Sequence, residues 1–446
     1  MSTIPSLKTL PVIGSIGELD FKKCLFDQLN EKSKVLGDSY RFKIFHKDIV
    51  VIGNYDLYKE VIVKKRNTFL KGSTLNEIKH INKGRPSILD ADGKTWQDLR
   101  GELVHFFTPK VLENLYDITS KRLEKSLPLF DDHSIVDDVE VLMGKIALAI
   151  TSEFFIEHNF QINKEEITNS NADSDSFYYF QKFLIAELTK RMNYGPMWKY
   201  LPTLSNLRFS KFIKEGKQFV REKVEKGTTS YTLITHLKNQ GLDTEAIIGQ
   251  IYGLVGASFE STAVSLTWAL YFLAQNQELQ NELYQELATL DLNDSNSIIK
   301  NEFLENYVAE TLRLRPAFPI LFREAAEDEE LTSEDITFKV KKGTIVFSLL
   351  GKILNNQEIW GEDHDKFNPK RFYHLTSEQK KAYIPYSTGT RTCLGREMAS
   401  IEVKLILAHI LRSYHIRPAC DLAQVKPKQK FVFSSDREIS LEFIRR

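Results

Sequence analysis

The 446-residue chain has only three cysteines: Cys24, Cys393 and Cys420. Three cysteines cannot form a disulfide framework, and without a Cys-x-x-Cys pair the common structural zinc sites are excluded. The sequence also lacks a run of about 18 apolar residues, so no segment is predicted to span a bilayer. The first 20 residues show no signal-peptide pattern. These absences predict a soluble, cytoplasmic protein made in a reducing compartment.

The chain has no excess of charge of either sign, because 60 Lys and Arg residues balance 60 Asp and Glu residues. A general nucleic-acid binder would carry a basic excess, so we expect no nucleic-acid partner. Metalloprotease, nucleophile-elbow, dinucleotide-fingerprint and phosphate-loop motifs are also missing. What is abundant is core material, with 29 Phe and 17 Tyr in a sequence that is 42% hydrophobic. This composition excludes a disordered protein.

Hydrophobic periodicity predicts a mainly α fold with a minor β part, in one domain over residues 1–446. We expect a β-rich part at about 1–70 and a helical core at about 71–446. A nearly all-round apolar helix from about 243 to 287, broken near Asn276, should cross the middle of the protein. Strands are predicted around His46 (41–52), in a hairpin at 337–349 and in a β-rich tail at 431–444. Helices are predicted at 96–107, 112–127, 139–155, 302–314 and 396–414. A loop is predicted at 163–176.

Residues 386–395 (YSTGTRTCLG) are the most unusual segment of the chain. Cys393 follows Arg391, lies between Gly389 and Gly395, and immediately precedes a long predicted helix. A nearby cation and helix N-terminal amides stabilise a thiolate. The glycines permit positive φ and close approach of the backbone to a flat or bulky group. The alternative is a buried cysteine that acts as a small hydrophobe in a glycine turn.

This segment resembles the haem-binding loop of the cytochrome P-450 superfamily, whose pattern is Phe-x-x-Gly-x-Arg-x-Cys-x-Gly. The resemblance implies the family's triangular-prism helical fold, haem b as cofactor and Cys393 as the thiolate ligand of the iron. Tyr386 replaces the usual Phe, and Leu354 stands where many relatives have His.

Four further segments match the family in order. Trp96 and Arg100, one helical turn apart, resemble a Trp-x-x-x-Arg helix that binds a haem propionate. Arg391 and Arg323 lie where the family places two further propionate contacts. The resemblance thus extends the cofactor site over most of the chain.

Glu310 and Arg313 resemble the family's Glu-x-x-Arg, and Arg371 follows in a segment that supplies a second arginine. The resemblance implies a buried network of these three side chains that braces the haem loop. Alone, the first two would also fit an ordinary exposed helical pair.

Residues 257–262 (ASFEST) resemble the Ala-Gly-x-Asp/Glu-Thr-Thr oxygen-activation motif, with Ala257 beside the haem and Ser258 in place of Gly. The implied catalytic set is Glu260, Ser261 and Thr262, with protons passing from Glu260 and water to Thr262 and then to dioxygen. The alternative is a polar stripe that faces another helix.

The predicted function is a haem-dependent monooxygenase that inserts one oxygen atom from O2 into a hydrophobic organic substrate by hydroxylation or epoxidation. Lipid-like, terpenoid and polyketide-like substrates all fit an apolar pocket. The predicted pocket is residues 73–89 together with Ala317, Phe318, Ile320 and Leu321.

Because the chain ends soon after the haem loop, we expect electrons to come from a separate ferredoxin or flavodoxin with its reductase. We also expect the enzyme to be a monomer. The candidate basic contacts for that partner are Arg396, Lys404, Lys370 and Lys380. The motifs look like those of the eukaryotic-style, fatty-acid-oxidising branch, and the lack of an anchor favours a soluble bacterial member.

Two other functions stay open. A haem-thiolate peroxygenase or isomerase would act on peroxides, but the acid–alcohol pair of Glu260 and Thr262 argues against it. A non-catalytic haem gas sensor is the second alternative, and no signalling domain is visible in the sequence.

Overall fold

Helices make up most of the fold. The computed structural model describes residues 4–20, 23–169, 177–194, 203–292 and 294–446. The helices of its N-terminal half are α1 Leu25–Leu36, α2 Tyr55–Lys59, α3 Asn76–Ile81, α4 Gly93–Val104, α5 Pro109–Ser126, α6 Val139–Ile156, α7 Glu165–Thr168, α8 Phe177–Tyr194 and α9 Leu204–Lys226. The helices that follow are α10 Leu233–Asn239, α11 Thr244–Gln275, α12 Gln277–Ala288, α13 Ser295–Ile299, α14 Glu302–Leu314, α15 Leu350–Leu354, α16 Gln357–Trp360, α17 Ser377–Ala382 and α18 Arg396–Ser413.

The strands are short and form small sheets. They are β1 Ser39–Ile44, β2 Lys47–Ile52, β3 Phe69–Leu70, β4 His133–Val136, β5 Leu321–Ala325, β6 Glu329–Thr332, β7 Thr337–Val340, β8 Ile345–Ser348, β9 Tyr414–Pro418, β10 Pro427–Gln429, β11 Phe433–Ser435 and β12 Leu441–Arg445. The largest sheet has the order β1-β2-β8-β5-β3, with β2 parallel to β8. Strands β5 and β8 therefore complete the sheet of the β-rich N-terminal part. The mainly α prediction with a minor β part is confirmed.

Helix α11 is the long central helix that the apolar run predicts. The side chain of Asp243 accepts a hydrogen bond from Ala246 N and caps the helix N-terminus. The helix ends at Gln275, and the Asn276 side chain then caps α12 by accepting from Leu279 N. Helices α6, α9, α14 and α18 all pack against α11, which explains why it is apolar on nearly every side. Because α11 lies among these helices, polar side chains on it must find partners on its neighbours.

Two local predictions fail. The hairpin predicted at 337–349 is wrong, because β7 pairs with β6 whereas β8 pairs with β2 and β5. The turn itself is present, with Gly343 at φ +81, but it directs the chain from one sheet into another. A turn signal fixes a change of direction and does not choose the strand's partner. The loop predicted at 163–176 contains the helical turn α7, and its residues 170–176 lie outside the described residues.

Candidate functional site

Cys393 lies in a tightly bonded loop directly before α18. Its backbone N–H donates to Tyr386 O at 3.0 Å, and the Thr392 hydroxyl donates to the same carbonyl at 3.3 Å. The Cys393 side chain is exposed, yet enough protein surrounds it that burial raises the pKa of its thiol. The Gly395 N–H and the charges of Arg100 and Arg396 oppose that rise by favouring the thiolate. The loop thus presents one accessible sulfur among groups that favour its ionised form.

The two glycines of the loop have different roles. Gly389 has φ +74, as expected, and a Cβ there would lie 3.2 Å from Val63 Cγ2. Gly395 does not have the predicted positive φ; its φ is −89 and it caps the N-terminus of α18. A Cβ at Gly395 would meet no atom within 4 Å. Open space therefore lies beside Gly395, next to the sulfur of Cys393.

A cluster of cations lies near this loop. Arg391 stacks over Trp96, with 4.3 Å between its guanidinium carbon and the ring centroid, and pairs with Asp92 at 2.9 Å. Arg100 also lies over Trp96, at 5.8 Å, and donates to Thr392 O at 2.9 Å. Trp96 and Arg100 of α4 are thereby brought to the residues that flank Cys393.

The cluster extends to β5 and to the segment before α3. Burial and the charge of Arg391 lower the pKa of Arg323 to about 10. Burial and the charges of Arg323 and Arg391 lower the pKa of Lys71 to about 7. With Arg100, four basic side chains share this region with the carboxylates of Asp92 and Asp90, so positive charge exceeds negative charge there.

The positive charge of the cation cluster and the open space beside Gly395 indicate whether the site can hold a haem. The two propionates of haem are negatively charged and would balance this excess, and Arg side chains bind carboxylates with paired donors. A thiolate is a suitable axial ligand for haem iron. The residues present therefore fit a haem with its propionates on the cation cluster and its iron at Cys393.

A buried charged network joins α14 to the segment around Arg371. Arg313 donates from Nε and Nη2 to the two carboxylate oxygens of Glu310, at 2.7 and 2.9 Å. Arg371 Nε donates to Glu310 Oε1 at 3.0 Å and pairs with Asp363 at 3.0 Å. Glu310 and Arg313 are fully buried, so the alternative of an exposed helical pair does not describe them. The three predicted residues meet, together with Asp363, which sequence reasoning missed.

The polar residues of α11 point in different directions. Glu260 is buried and pairs with Lys182 of α8, with 2.9 Å between Oε1 and Nζ. The partly exposed Ser261 donates to Ala257 O at 2.8 Å. The fully buried Thr262 instead donates to Glu402 of α18, with 3.2 Å between the oxygens. The predicted catalytic set is therefore divided between two sides of the helix.

Among the residues that the structure describes, none places a charged group on Glu402. Burial raises its pKa to about 8, and the hydrogen bond from Thr262 only moderates the rise. Its Oε1 has no hydrogen-bond partner among the described residues. Thr262 therefore contacts a carboxyl group that is neutral below about pH 8. This contact lies on a different side of α11 from Ser261.

The predicted pocket residues also divide. Ala317 and Phe318 pack at the edge of the core that contains α11, where Phe318 meets Phe431 edge to face at 5.8 Å. Ile320 packs instead in the core around α1 and β1, and Leu321 in the core around α2 and β6. Only the first two thus share a core with α11.

The predicted docking residues differ in exposure. Lys404 is buried, donates to Ile299 O at 2.8 Å and pairs with Glu305, so its prediction as a surface contact is wrong. Its place on α18 next to apolar residues gave no sign of the inward orientation. The other three residues, Arg396, Lys370 and Lys380, are exposed. Arg396 pairs with Glu397, and Lys370 pairs with Glu282.

Comparison with known proteins agrees with this geometry. The sequence model of the family "Cytochrome P450" matches residues 4–443. A Drosophila melanogaster protein, Cytochrome P450 4p1, is 23% identical over 95% of this chain and 86% of its own length. The human Steroid 17-alpha-hydroxylase/17,20 lyase is 24% identical over 97% of this chain and 90% of its own length. Cytochrome P450 1A1 of Limanda limanda is 23% identical over 93% of this chain and 85% of its own length.

The fold and the site define a haem-thiolate enzyme. The chain belongs to the cytochrome P450 family. It is accordingly an oxidoreductase, a haem-dependent monooxygenase that uses O2, a substrate and a redox partner. In the described part of the chain, no helix is long and apolar enough to cross a membrane.

Proposed function

We propose that this protein hydroxylates or epoxidises a hydrophobic organic molecule, with haem b as its cofactor and Cys393 as the iron ligand. The observation that carries the proposal is the cluster of four cations beside an accessible cysteine at the start of α18. When bound, haem supplies the activation of O2 and the transfer of one oxygen atom. The chain's own residues hold the cofactor, exclude water and deliver protons.

The propionates of the cofactor bind to Lys71, Arg323, Arg391 and Arg100. Sequence reasoning named the three arginines but not Lys71, because a single lysine outside any motif gives no signal. Trp96 lies under two of the guanidinium groups and restrains them. The buried network at Glu310 anchors the segments before the loop, because removal of any member would leave an unpaired buried charge.

Proton delivery starts at Glu260. The Lys182 ammonium holds this carboxylate in a buried position, and Ser261 follows it on the partly exposed side of α11. Ser261, rather than Thr262, therefore supplies the hydroxyl next to the cofactor. Thr262 is bonded to Glu402 on the α18 side and serves to position the two helices.

The substrate is apolar because the side chains around this part of α11 are apolar or aromatic. Phe318, Phe431, Leu89 and Tyr252 are partly buried at the edge of the core that contains α11. A pocket with such a lining favours lipid-like, terpenoid or polyketide-like molecules. One relative is named for action on a steroid, which supports a bulky hydrophobic substrate of this general kind.

Electrons come from a separate ferredoxin or flavodoxin with its reductase, and the enzyme is a monomer. Arg396, Lys370 and Lys380 are exposed and remain the candidate contacts for an acidic partner. Two of them already pair with carboxylates, so the partner's acidic groups must compete with those pairs.

The spectrum of the reduced carbon-monoxide complex tests the proposal. A thiolate ligand moves the main band far to the red of the band given by a histidine ligand. Cys393→Ser and Cys393→His should lose the red-shifted band, whereas the matched control Cys420→Ser should retain it. Reconstitution with an electron donor, O2 and apolar candidates should then yield an alcohol or an epoxide. Conversion of lipid hydroperoxide without reductase, or ligand binding without turnover, would replace monooxygenation by one of the two alternative functions.

A further inference from the structure

An open polar cavity of about 650 Å³ lies beside the N-terminus of α6. Exposed side chains at 436–438 form its mouth, so bulk water reaches it. The lining residues are Asp138, Glu140, Lys430, Ser435, Asp436, Arg437, Glu438 and Ser440. All carry polar side chains, and none belongs to the site described above.

Glu140 connects this cavity with the protein interior. Although it lines the cavity, its side chain is only 9% exposed. One carboxylate oxygen accepts from the Ser434 hydroxyl, and Lys430 Nζ donates to the same hydroxyl at 3.2 Å. The other oxygen, Oε1, accepts from Lys182 Nζ at 3.5 Å. Glu140 thus has the surface cavity on one side and α8 on the other.

Lys182 is shared by two buried carboxylates. Its ammonium lies 2.9 Å from Glu260 Oε1 and 3.5 Å from Glu140 Oε1. Burial alone would lower the pKa of Lys182, but the nearby negative charges hold it above its ordinary value. Lys182 therefore keeps its proton, and the three side chains together carry one excess negative charge. A single added proton neutralises the group.

A buried phenol completes the cluster. Tyr178 lies one helical turn before Lys182 on α8, and its hydroxyl has no hydrogen-bond partner among the described residues. The same hydroxyl closely approaches α6, since a Cβ on Gly144 would lie 2.7 Å from it. A buried unpaired hydroxyl is costly unless water or another group satisfies it. The hydroxyl therefore remains available to a hydrogen-bonding partner at this point between α6 and α8.

We propose that this cavity is the proton inlet of the enzyme, and that Glu140 passes protons from cavity water to Glu260. A proton from cavity water binds the Glu140 carboxylate and moves, through water at the Tyr178 hydroxyl, to the Glu260 carboxylate. Lys182 holds both carboxylates in place and keeps its own proton. Glu140 acts through Glu260, so it is a positioning residue rather than a catalytic one. The inference rests on the proposed role of Glu260 in proton delivery.

Charged and titratable groups from three parts of the chain face Glu140. Lys182 and Tyr178 face it from α8, Lys430 and Ser434 from the β10–β11 segment, and Asp138 from its own helix. Burial would raise the pKa of Glu140, but Lys182, Lys430 and Ser434 hold it below its ordinary value. Burial and the charge of Glu140 raise the pKa of Asp138 to about 6. Asp138 can therefore exchange protons with cavity water near neutral pH, while Glu140 stays free to accept them.

The experiment compares Glu140→Gln with two matched variants of the full-length holoenzyme. Glu153→Gln makes the same change on the same helix, in an ion pair with Arg122 that lies away from the cavity. Ser434→Ala removes the tie between Glu140 and the β10–β11 segment but retains the carboxylate. The readouts are kcat, KM and the solvent isotope effect during turnover, with Glu260→Gln measured alongside.

Glu140→Gln should lower kcat about tenfold, with KM unchanged and a larger solvent isotope effect. Glu153→Gln should behave as the wild type. If Glu140→Gln leaves kcat and the solvent isotope effect unchanged, or Ser434→Ala reproduces its full defect, the inlet is wrong. If Glu260→Gln itself has normal turnover and isotope effects, the proposed proton delivery fails instead.

Discussion

Thr262 of α11 donates its hydroxyl to Glu402 of α18, with 3.2 Å between the two oxygens. The next residue toward the N-terminus, Ser261, donates to Ala257 O and stays partly exposed. Neighbours on a helix are rotated by about 100°, so the Thr262 hydroxyl faces α18 and the Ser261 hydroxyl points in a different direction. The adjacent hydroxyls of one motif therefore have separate tasks.

We predict that Ser261→Ala uncouples electron consumption from product formation, whereas Thr262→Val leaves coupling close to the wild type. The hydroxyl on the cofactor side is removed only in the first variant. Product formed per reduced nicotinamide consumed, together with released hydrogen peroxide, measures the coupling. If only Thr262→Val released peroxide, Thr262 and not Ser261 would supply the catalytic hydroxyl.

Glu402 should make stability depend on pH. Its pKa is about 8 in the folded protein and 4.5 as an ordinary carboxyl, so the folded state binds the extra proton. The contribution is complete below about pH 4.5 and is lost as pH rises through 8, on the order of 5 kcal/mol. Glu402→Gln should remove this decline and be more stable than the wild type at pH 8.5. Urea unfolding from pH 5 to 9 tests it, with Glu397→Gln on the same helix as the control.

The network at Glu310 should dominate the stability of its region. Glu310→Gln leaves Arg313 and Arg371 without a buried counter-charge, and we expect the free energy of unfolding to fall by about 3–5 kcal/mol. Glu31→Gln, which breaks the exposed pair with Lys34 at the same i,i+3 spacing, should have no measurable effect. Equal effects of the two variants would contradict the assignment of a bracing network.

Local sequence patterns predicted the helix bounds and caps, which depend on residues close together in the sequence. The helix at 302–314 and the break at Asn276 have the predicted bounds because capping side chains and apolar periodicity act within one or two turns. The same patterns could not give Lys182, which reaches Glu260 from another helix. They also could not orient Thr262, because α11 is apolar on nearly every side and therefore offers no polar face to mark a direction.

The cation cluster shows the same limit. Arg391 and Arg323 were predicted from motifs, but the motif spacing says nothing about charge balance. Lys71 adds to the positive charge of three arginines, which already outnumber the carboxylates of Asp92 and Asp90. This excess is visible only once residues that are distant in sequence lie together, and it is the feature that most directly requires an anionic cofactor.

Lys71 should make haem affinity depend on pH. Its pKa is about 7 in this structure, and the negative propionates favour its charged form. Above pH 7, binding must therefore take up a proton, so affinity should fall as pH rises, by up to about tenfold per pH unit. Lys71→Met should flatten the dependence, whereas Lys94→Met, an exposed change on α4, should not. Haem titrations from pH 6 to 9 measure both, and an unchanged slope in Lys71→Met would exclude its contact with a propionate.

The two glycines of the Cys393 loop should respond differently to a methyl group. Gly389→Ala places a side chain at φ +74 and 3.2 Å from Val63 Cγ2, which should destabilise the protein by about 1–2 kcal/mol even without haem. Gly395→Ala, at φ −89 with no atom within 4 Å, should leave the apoprotein as stable as the wild type. Its methyl group enters the space assigned to the cofactor, so it should weaken haem binding. Urea unfolding of the apoproteins and haem titrations separate the two effects, and normal haem affinity in Gly395→Ala would show that the cofactor lies elsewhere.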